Sequence, residues 1–143
     1  MVDQIRAFRL LTRVSDNVAL LESQTTAGPS ERIALTWLPG LKYLLQTAIE
    51  ACIDVAQHIC ASSSWGIPSD NGEAMTFLHR HGVIDARVET AMRKAIGLRN
   101  VLVHEYIGVD DAIVLNRVED LSDLHQYVRQ VTDWLQAGAQ QPS

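Results

Sequence analysis

Apolar residues recur every three or four positions along almost the whole chain, and this rhythm limits the fold more than any other feature. From Val2 to Gln24 the series is Ile5, Phe8, Leu11, Val14, Val18 and Leu21. From about Glu31 to Ala61 it is Leu41, Leu44, Leu45, Ala48, Cys52, Val55, Ala56 and Ile59. Such spacing builds one apolar stripe per helix. No stretch shows sustained period-two alternation; Ala112 to Leu115 is the only candidate strand. The pattern predicts an all-α, up-and-down helical bundle.

Breaker residues divide the bundle. Thr25-Thr26-Ala27-Gly28-Pro29-Ser30 ends the first helix, and Ser30 reads as the N-cap of the second. Pro39-Gly40 should kink that second helix or split off a short first segment. A loop from Ser62 to Asn71 precedes a short helix from Gly72 to Arg80, closed by His81-Gly82. Asp85 reads as the N-cap of a fourth helix reaching Tyr106. Asp110 caps a fifth that carries Ile113, Val118, Leu121, Leu124, Val128, Val131 and Leu135. The expectation is four long helices and one short one in a single domain over residues 1–143, with the tail fraying from about Gly138.

Composition sets the broad class. At 143 residues and 47% hydrophobic, the chain can bury a core without metal or disulfide staples. A formal net charge of −5 excludes a strongly basic nucleic-acid binder, so a polyanion would have to be met by a local patch or by a second subunit. No apolar run reaches the ~18 residues of a membrane span, and the N-terminus lacks a signal-peptide core, so no membrane association and a cytoplasmic location are expected. Cys52 and Cys60 lie eight residues apart on one predicted helix. That is about 12 Å of rise, beyond the ~7 Å Cα limit of a disulfide.

The informative segment is Arg99-Asn100-Val101-Leu102-Val103-His104-Glu105-Tyr106. Projected at about 100° per residue, Arg99 falls inside the apolar arc of Val88, Ala91, Met92, Ala95, Ile96, Leu98 and Leu102. Asn100 and His104 lie on one flank, about 100° and 140° away. A buried guanidinium needs a partner. It can be an internal carboxylate such as Glu50 or Asp54, a partner subunit, or a phosphate. Arg matches phosphate oxygens and His moves a proton near neutral pH. Together they suit cleavage of a phosphodiester by the adjacent ribose 2′-OH, without metal. One chain supplies one such His; a two-fold homodimer supplies two around one cleft.

Arg99, four residues, His104, one residue and Tyr106 resemble the R-x4-H-x-Y motif of the HEPN superfamily, and most of all the HepT-like toxins of HepT–MntA toxin–antitoxin systems. Gln46, Ala48-Ile49-Glu50-Ala51, Ile53-Asp54 and His58 resemble that family's second helix, and the likeness runs over residues 31–136. Pro39-Gly40 is a departure that the family's long helix does not require. The resemblance implies a HEPN-type bundle and a metal-independent endoribonuclease acting from a dimer cleft on RNA. Arg99 and His104 would be the catalytic pair, and Asn100 would position the phosphate or His104. It further implies a cognate MntA-like nucleotidyltransferase antitoxin that transfers AMP to Tyr106. No cofactor and no metal follow from it. The alternative is a non-catalytic HEPN accessory subunit that binds nucleotide or steadies a nucleotidyltransferase.

Other features admit two readings. Glu50, Asp54 and His58 form one stripe, either supporting Arg99 and His104 (Asp54 foremost) or making a polar helix face. His79-Arg80-His81 reads as a solvated helix end or an RNA backbone contact, with no spacing that completes a zinc site. Arg80, Arg87, Arg93, Lys94 and Arg99 are the one basic concentration along the sequence. Trp37, Trp65 and Trp134 read as core or interface residues, and Gly97 and Gly108 belong to no phosphate loop.

Overall fold

The computed structural model describes residues 1–104 and 108–140, the last two without their side chains. The helices are α1 (Gln4–Ser23), α2 (Pro29–Arg32), α3 (Trp37–Ser62), α4 (Asn71–Arg80), α5 (Ala86–His104), α6 (Asp111–Glu119) and α7 (Ser122–Gln140). A 3-10 turn, Gln24–Thr26, follows α1. Among the described residues there is no strand, and Ala112 to Leu115 lie inside α6. No helix among them is long and apolar enough to cross a membrane.

Four helices are long, as the periodicity predicts, but three short ones accompany them rather than one. Pro39 splits the expected second helix. It sits in the first turn of α3, where the missing N–H is one that has no intrahelical acceptor anyway. Ser30 falls inside α2 rather than capping it; Gly28 is the N-cap and Pro29 the first helical residue. The expected fifth helix is broken in two. The Asp120 carboxylate accepts from the Ser122 backbone N–H at 3.1 Å and from its hydroxyl at 2.6 Å. That local bonding competes with the helical ladder and starts α7 afresh. Helix α7 continues through Gln140, and the end of the tail lies outside the described residues.

Other boundaries fall where the residue types direct them. Asp85 Oδ1 accepts from Val88 N–H at 2.8 Å at the start of α5, and Asp110 accepts from Ala112 N–H at 2.9 Å at the start of α6. Helix α4 closes through Gly82, whose φ of +77° suits glycine. Gly82 N–H donates to His79 O and Val83 N–H to Leu78 O, which satisfies two carbonyls of the last turn.

The core joins the predicted stripes: Ala7, Leu11, Val14, Val18 and Leu21 of α1 pack against Leu41, Leu45, Ala48, Cys52, Val55 and Ile59 of α3. Tyr127 of α7 is fully buried and donates its hydroxyl to Cys52 O at 2.7 Å. Cys52 and Cys60 are buried, free thiols. Two polar links set α1 antiparallel to α3. Asp3 N–H donates to His58 Nε2 at 3.0 Å, and the Asn17 amide donates to Thr47 Oγ1 at 2.7 Å and Leu44 O at 3.2 Å.

Candidate functional site

Helix α5 turns Val88, Met92, Ala95, Ile96 and Leu102 into the core. The same rotation carries Arg99 to the edge of the core, beside Glu50 of α3. The Arg99 side chain keeps 24% of its exposure and Glu50 keeps 33%. Arg99 Nε lies 3.6 Å from Glu50 Oε1, an ion-pair distance too long for a hydrogen bond. Glu50 Oε1 is itself fixed by the Gln46 amide at 2.8 Å. Arg99 Nη1 donates to Asn100 Oδ1 at 3.1 Å. Arg99 Nε is buried and makes no hydrogen bond among the described residues. The guanidinium is therefore held between Glu50 and Asn100 with donor capacity to spare.

His104 ends α5 and is exposed. It stands about 7.5 Å along the helix from Arg99 and about 140° around it. The two side chains therefore leave the helix on different faces. Tyr106, the third member of the sequence motif, lies outside the described residues.

Asp54 lies one turn beyond Glu50 on α3 and is exposed at the same edge. Partial burial pushes its carboxyl above the usual 3.8, the neighbouring Glu50 adds to this, and Arg6, Arg13 and Arg99 oppose it. The α3 stripe is thus divided in use: Glu50 meets Arg99, Asp54 lies in the field of arginines from two helices, and His58 fastens the N-terminal segment. Arg6 and Arg13 were not legible as part of this edge, because they are distant in sequence from the basic cluster. Their seven-residue spacing on one helix was the available signal.

The remaining sequence candidates lie elsewhere. His81 stacks on Trp65 with ring centroids 3.9 Å apart, and Trp134 meets Trp65 edge-on. Trp37 donates Nε1–H to Gln24 Oε1 at 3.1 Å. Among the described residues no three His, Cys, Asp or Glu side chains are grouped to hold a metal ion.

Arg99 is thus a partly exposed guanidinium beside Glu50 and Asn100, and His104 is open to solvent. Comparison with known proteins adds to this. Residues 38–131 match the family model described as HepT-like, ribonuclease HepT-like. The chain is 35% identical over 85 residues to an mRNA nuclease HepT of Shewanella oneidensis. It is 33% identical over 98 residues to a putative RNase of Archaeoglobus fulgidus. These matches cover 59% and 68% of this chain. The chain spans just under two thirds (64%) of the Shewanella nuclease and 74% of the archaeal protein.

Solved structures extend the likeness over nearly the whole chain. A toxin–antitoxin complex with AMP-PNP superposes with a TM-score of 0.80 at 25% identity, covering 92% of this chain and 99% of that one. A tri-AMPylated Shewanella oneidensis HEPN toxin in complex with MNT antitoxin superposes with a TM-score of 0.81 at 25% identity, covering 93% and 99%. The cytosolic protein YutE of Bacillus subtilis, at 17% identity, shares the fold with a TM-score of 0.84 over 99% of this chain and 96% of its own.

Proposed function

Because the chain belongs to the ribonuclease HepT-like family, we propose that it is a metal-independent RNA-cleaving toxin of a toxin–antitoxin pair. It acts in the cytoplasm as a homodimer and is restrained by an MntA-like nucleotidyltransferase antitoxin. The observation that carries this reading is the state of Arg99: a half-buried guanidinium, steered by Glu50 and Asn100, with a buried Nε that makes no hydrogen bond. An RNA phosphate would meet the part of the guanidinium that stays exposed with charge-assisted bonds.

The ribose 2′-oxygen attacks the adjacent phosphorus while the bond from phosphorus to the 5′-oxygen breaks. The products are a 2′,3′-cyclic phosphate and a 5′-hydroxyl. One imidazole takes the 2′-proton and a protonated imidazole gives one to the 5′-oxygen. Arg99 stabilises the charge that grows on the non-bridging oxygens. Because one chain supplies one His in this motif, a second protomer is needed to bring an Arg and two His to one phosphate. Asn100 orients Arg99 through its Oδ1, and Asp54 supports the same edge.

Restraint would act at Tyr106, as the sequence motif and the tri-AMPylated relative suggest. Its phenol oxygen attacks the α-phosphorus of ATP, pyrophosphate leaves, and the phenolic proton is lost. The added adenylate places negative charge and bulk close to the motif.

The test is cleavage of single-stranded RNA in EDTA by the wild type, Arg99→Ala and His104→Ala. The wild type should cut and both variants should lose at least about 100-fold. Activity abolished by EDTA and restored by Mg²⁺ would remove metal independence. Equal growth inhibition by the wild type and His104→Ala would mean that catalysis by His104 is the wrong explanation.

A further inference from the structure

Helix α1 carries a row of arginines that the motif does not include. Arg6, Arg9 and Arg13 are all exposed. They fall within about 60° of one another around the helix, and Arg6 and Arg13 are about 10 Å apart along it. The antiparallel register fixes where the row lies. Asp3 faces His58, and Asn17 faces Leu44 and Thr47. Residues between keep the same offset, so Arg6 falls beside the turn from Val55 to His58 and Arg13 beside the turn that contains Glu50. The electrostatic coupling of Asp54 to Arg6, Arg13 and Arg99 agrees with that placement.

Glu50 and Asp54 therefore lie between two basic edges, Arg99 of α5 on one side and the α1 row on the other. Glu50 is engaged by Gln46 and Arg99. Neither Arg6 nor Arg13 makes an ion pair within 4 Å among the described residues, although Asp3 caps their helix and Asp16 lies on it. A chain with net charge −5 thus keeps a solvent-facing arginine strip next to the Glu50–Asp54 ridge. Local positive potential of this kind attracts a polyanion backbone.

We propose that Arg6 and Arg13, with Arg9 beside them, form a phosphate-binding strip that guides the backbone of substrate RNA across α3 from the Arg99 edge. The inference rests on the ribonuclease reading above. The strip contributes affinity and register rather than sequence choice, since phosphate contacts carry no base information.

The test measures binding of a labelled single-stranded RNA to the full-length His104→Ala protein across a salt series. Arg6→Gln/Arg13→Gln is added in that background. Two lost phosphate contacts should make the slope of log affinity against log salt shallower by about 1.4. Arg6→Lys/Arg13→Lys keeps the charge and should keep the slope. Arg32→Gln/Arg129→Gln removes the same charge from exposed positions on α2 and α7 and should leave the slope as it was.

An unchanged slope for Arg6→Gln/Arg13→Gln, in protein whose circular dichroism matches the parent, overturns the strip. Equal flattening by Arg32→Gln/Arg129→Gln overturns it too, since the effect would then be net charge alone. Loss of antitoxin binding with RNA binding intact assigns the arginines to a protein partner and also overturns it. If the wild type cleaves RNA while the slope stays unchanged, the strip fails and the ribonuclease reading stands. If the wild type neither cleaves nor binds RNA, both fail.

Discussion

Arg99 Nε lies 3.6 Å from Glu50 Oε1, near enough for attraction and too far for a hydrogen bond. A saturated, buried pair would make Arg99 a structural residue whose loss leaves an uncompensated charge. This pair is partly exposed on both sides and loose. Arg99→Ala should therefore cost no more than about 1 kcal/mol of stability, while RNA cleavage falls by about 100-fold or more. Thermal melts and a cleavage time course on the same preparation check both halves. A large fall in melting temperature with activity retained would make the pair purely structural.

The raised carboxyl of Asp54 gives a pH prediction. A carboxyl that holds its proton more tightly in the folded state than in the unfolded one loses stability as pH rises through the interval above the ordinary 3.8. Asp54→Asn removes that titration. Above this interval the variant should be at least as stable as the wild type, and below it the difference should vanish. Denaturant melts from pH 3 to pH 7 read the trend. A variant that is less stable at neutral pH would mean that the attraction of Arg6, Arg13 and Arg99 outweighs burial.

Asp85 behaves in the opposite sense. Its carboxyl is held below the usual 3.8, first by the Val88 N–H and then by the Gln130 amide. Gln130 Nε2 donates to Asp85 Oδ2, and Asp85 N–H returns a bond to Gln130 Oε1, each at 2.9 Å. This ties the start of α5 to α7. Asp85→Ala should lower the melting temperature at pH 7. The deficit should shrink as pH falls below 3.8 and the wild-type carboxylate takes its proton. A deficit independent of pH would mean that the cap's charge contributes nothing.

Much of this fold was legible because helices announce themselves by period and by their ends. The caps at Asp85 and Asp110 and the glycine closure at Gly82 needed only local residue chemistry. The break at Asp120 was hidden because Val118, Leu121 and Leu124 keep the apolar rhythm across it, and only the bonds to Ser122 interrupt the ladder. Arg99 was legible as an arginine on an apolar face, and Glu50 was one of its two expected partners. Arg6 and Arg13 were not legible at the same edge, because sequence proximity says nothing about how α1 is set against α3. That register is fixed by Asp3 on His58 and Asn17 on Thr47, contacts between residues 55 and 30 positions apart. The stack of His81 on Trp65 was hidden for the same reason.

Tyr127 supplies a control that separates stability from chemistry. Its ring is fully buried and its hydroxyl donates to Cys52 O. Tyr127→Phe keeps the packing and removes one hydrogen bond, so it should cost about 1 kcal/mol with RNA cleavage unchanged below the melting transition. A loss of activity that tracks this small destabilisation would show that the cleavage assay reports folding, and the Arg99→Ala result would have to be judged against it.

Restraint by AMP transfer makes a prediction about the three tyrosines of the chain. Tyr127 is sealed in the core, so a transferase acting on folded protein has no access to it, whereas Tyr43 is 65% exposed on α3. Among the described tyrosines exposure alone would thus direct modification to Tyr43, while recognition of the motif would direct it to Tyr106. Co-expression with a neighbouring nucleotidyltransferase, followed by intact mass and peptide mapping, separates the two. AMP-sized additions confined to the peptide with Tyr106, and lost in Tyr106→Phe, are expected. The modified protein should also lose RNA cleavage, because the adenylate adds bulk and negative charge to the motif and opposes binding of a phosphate backbone. Additions on Tyr43, or full activity in the modified protein, would mean that control does not run through the motif.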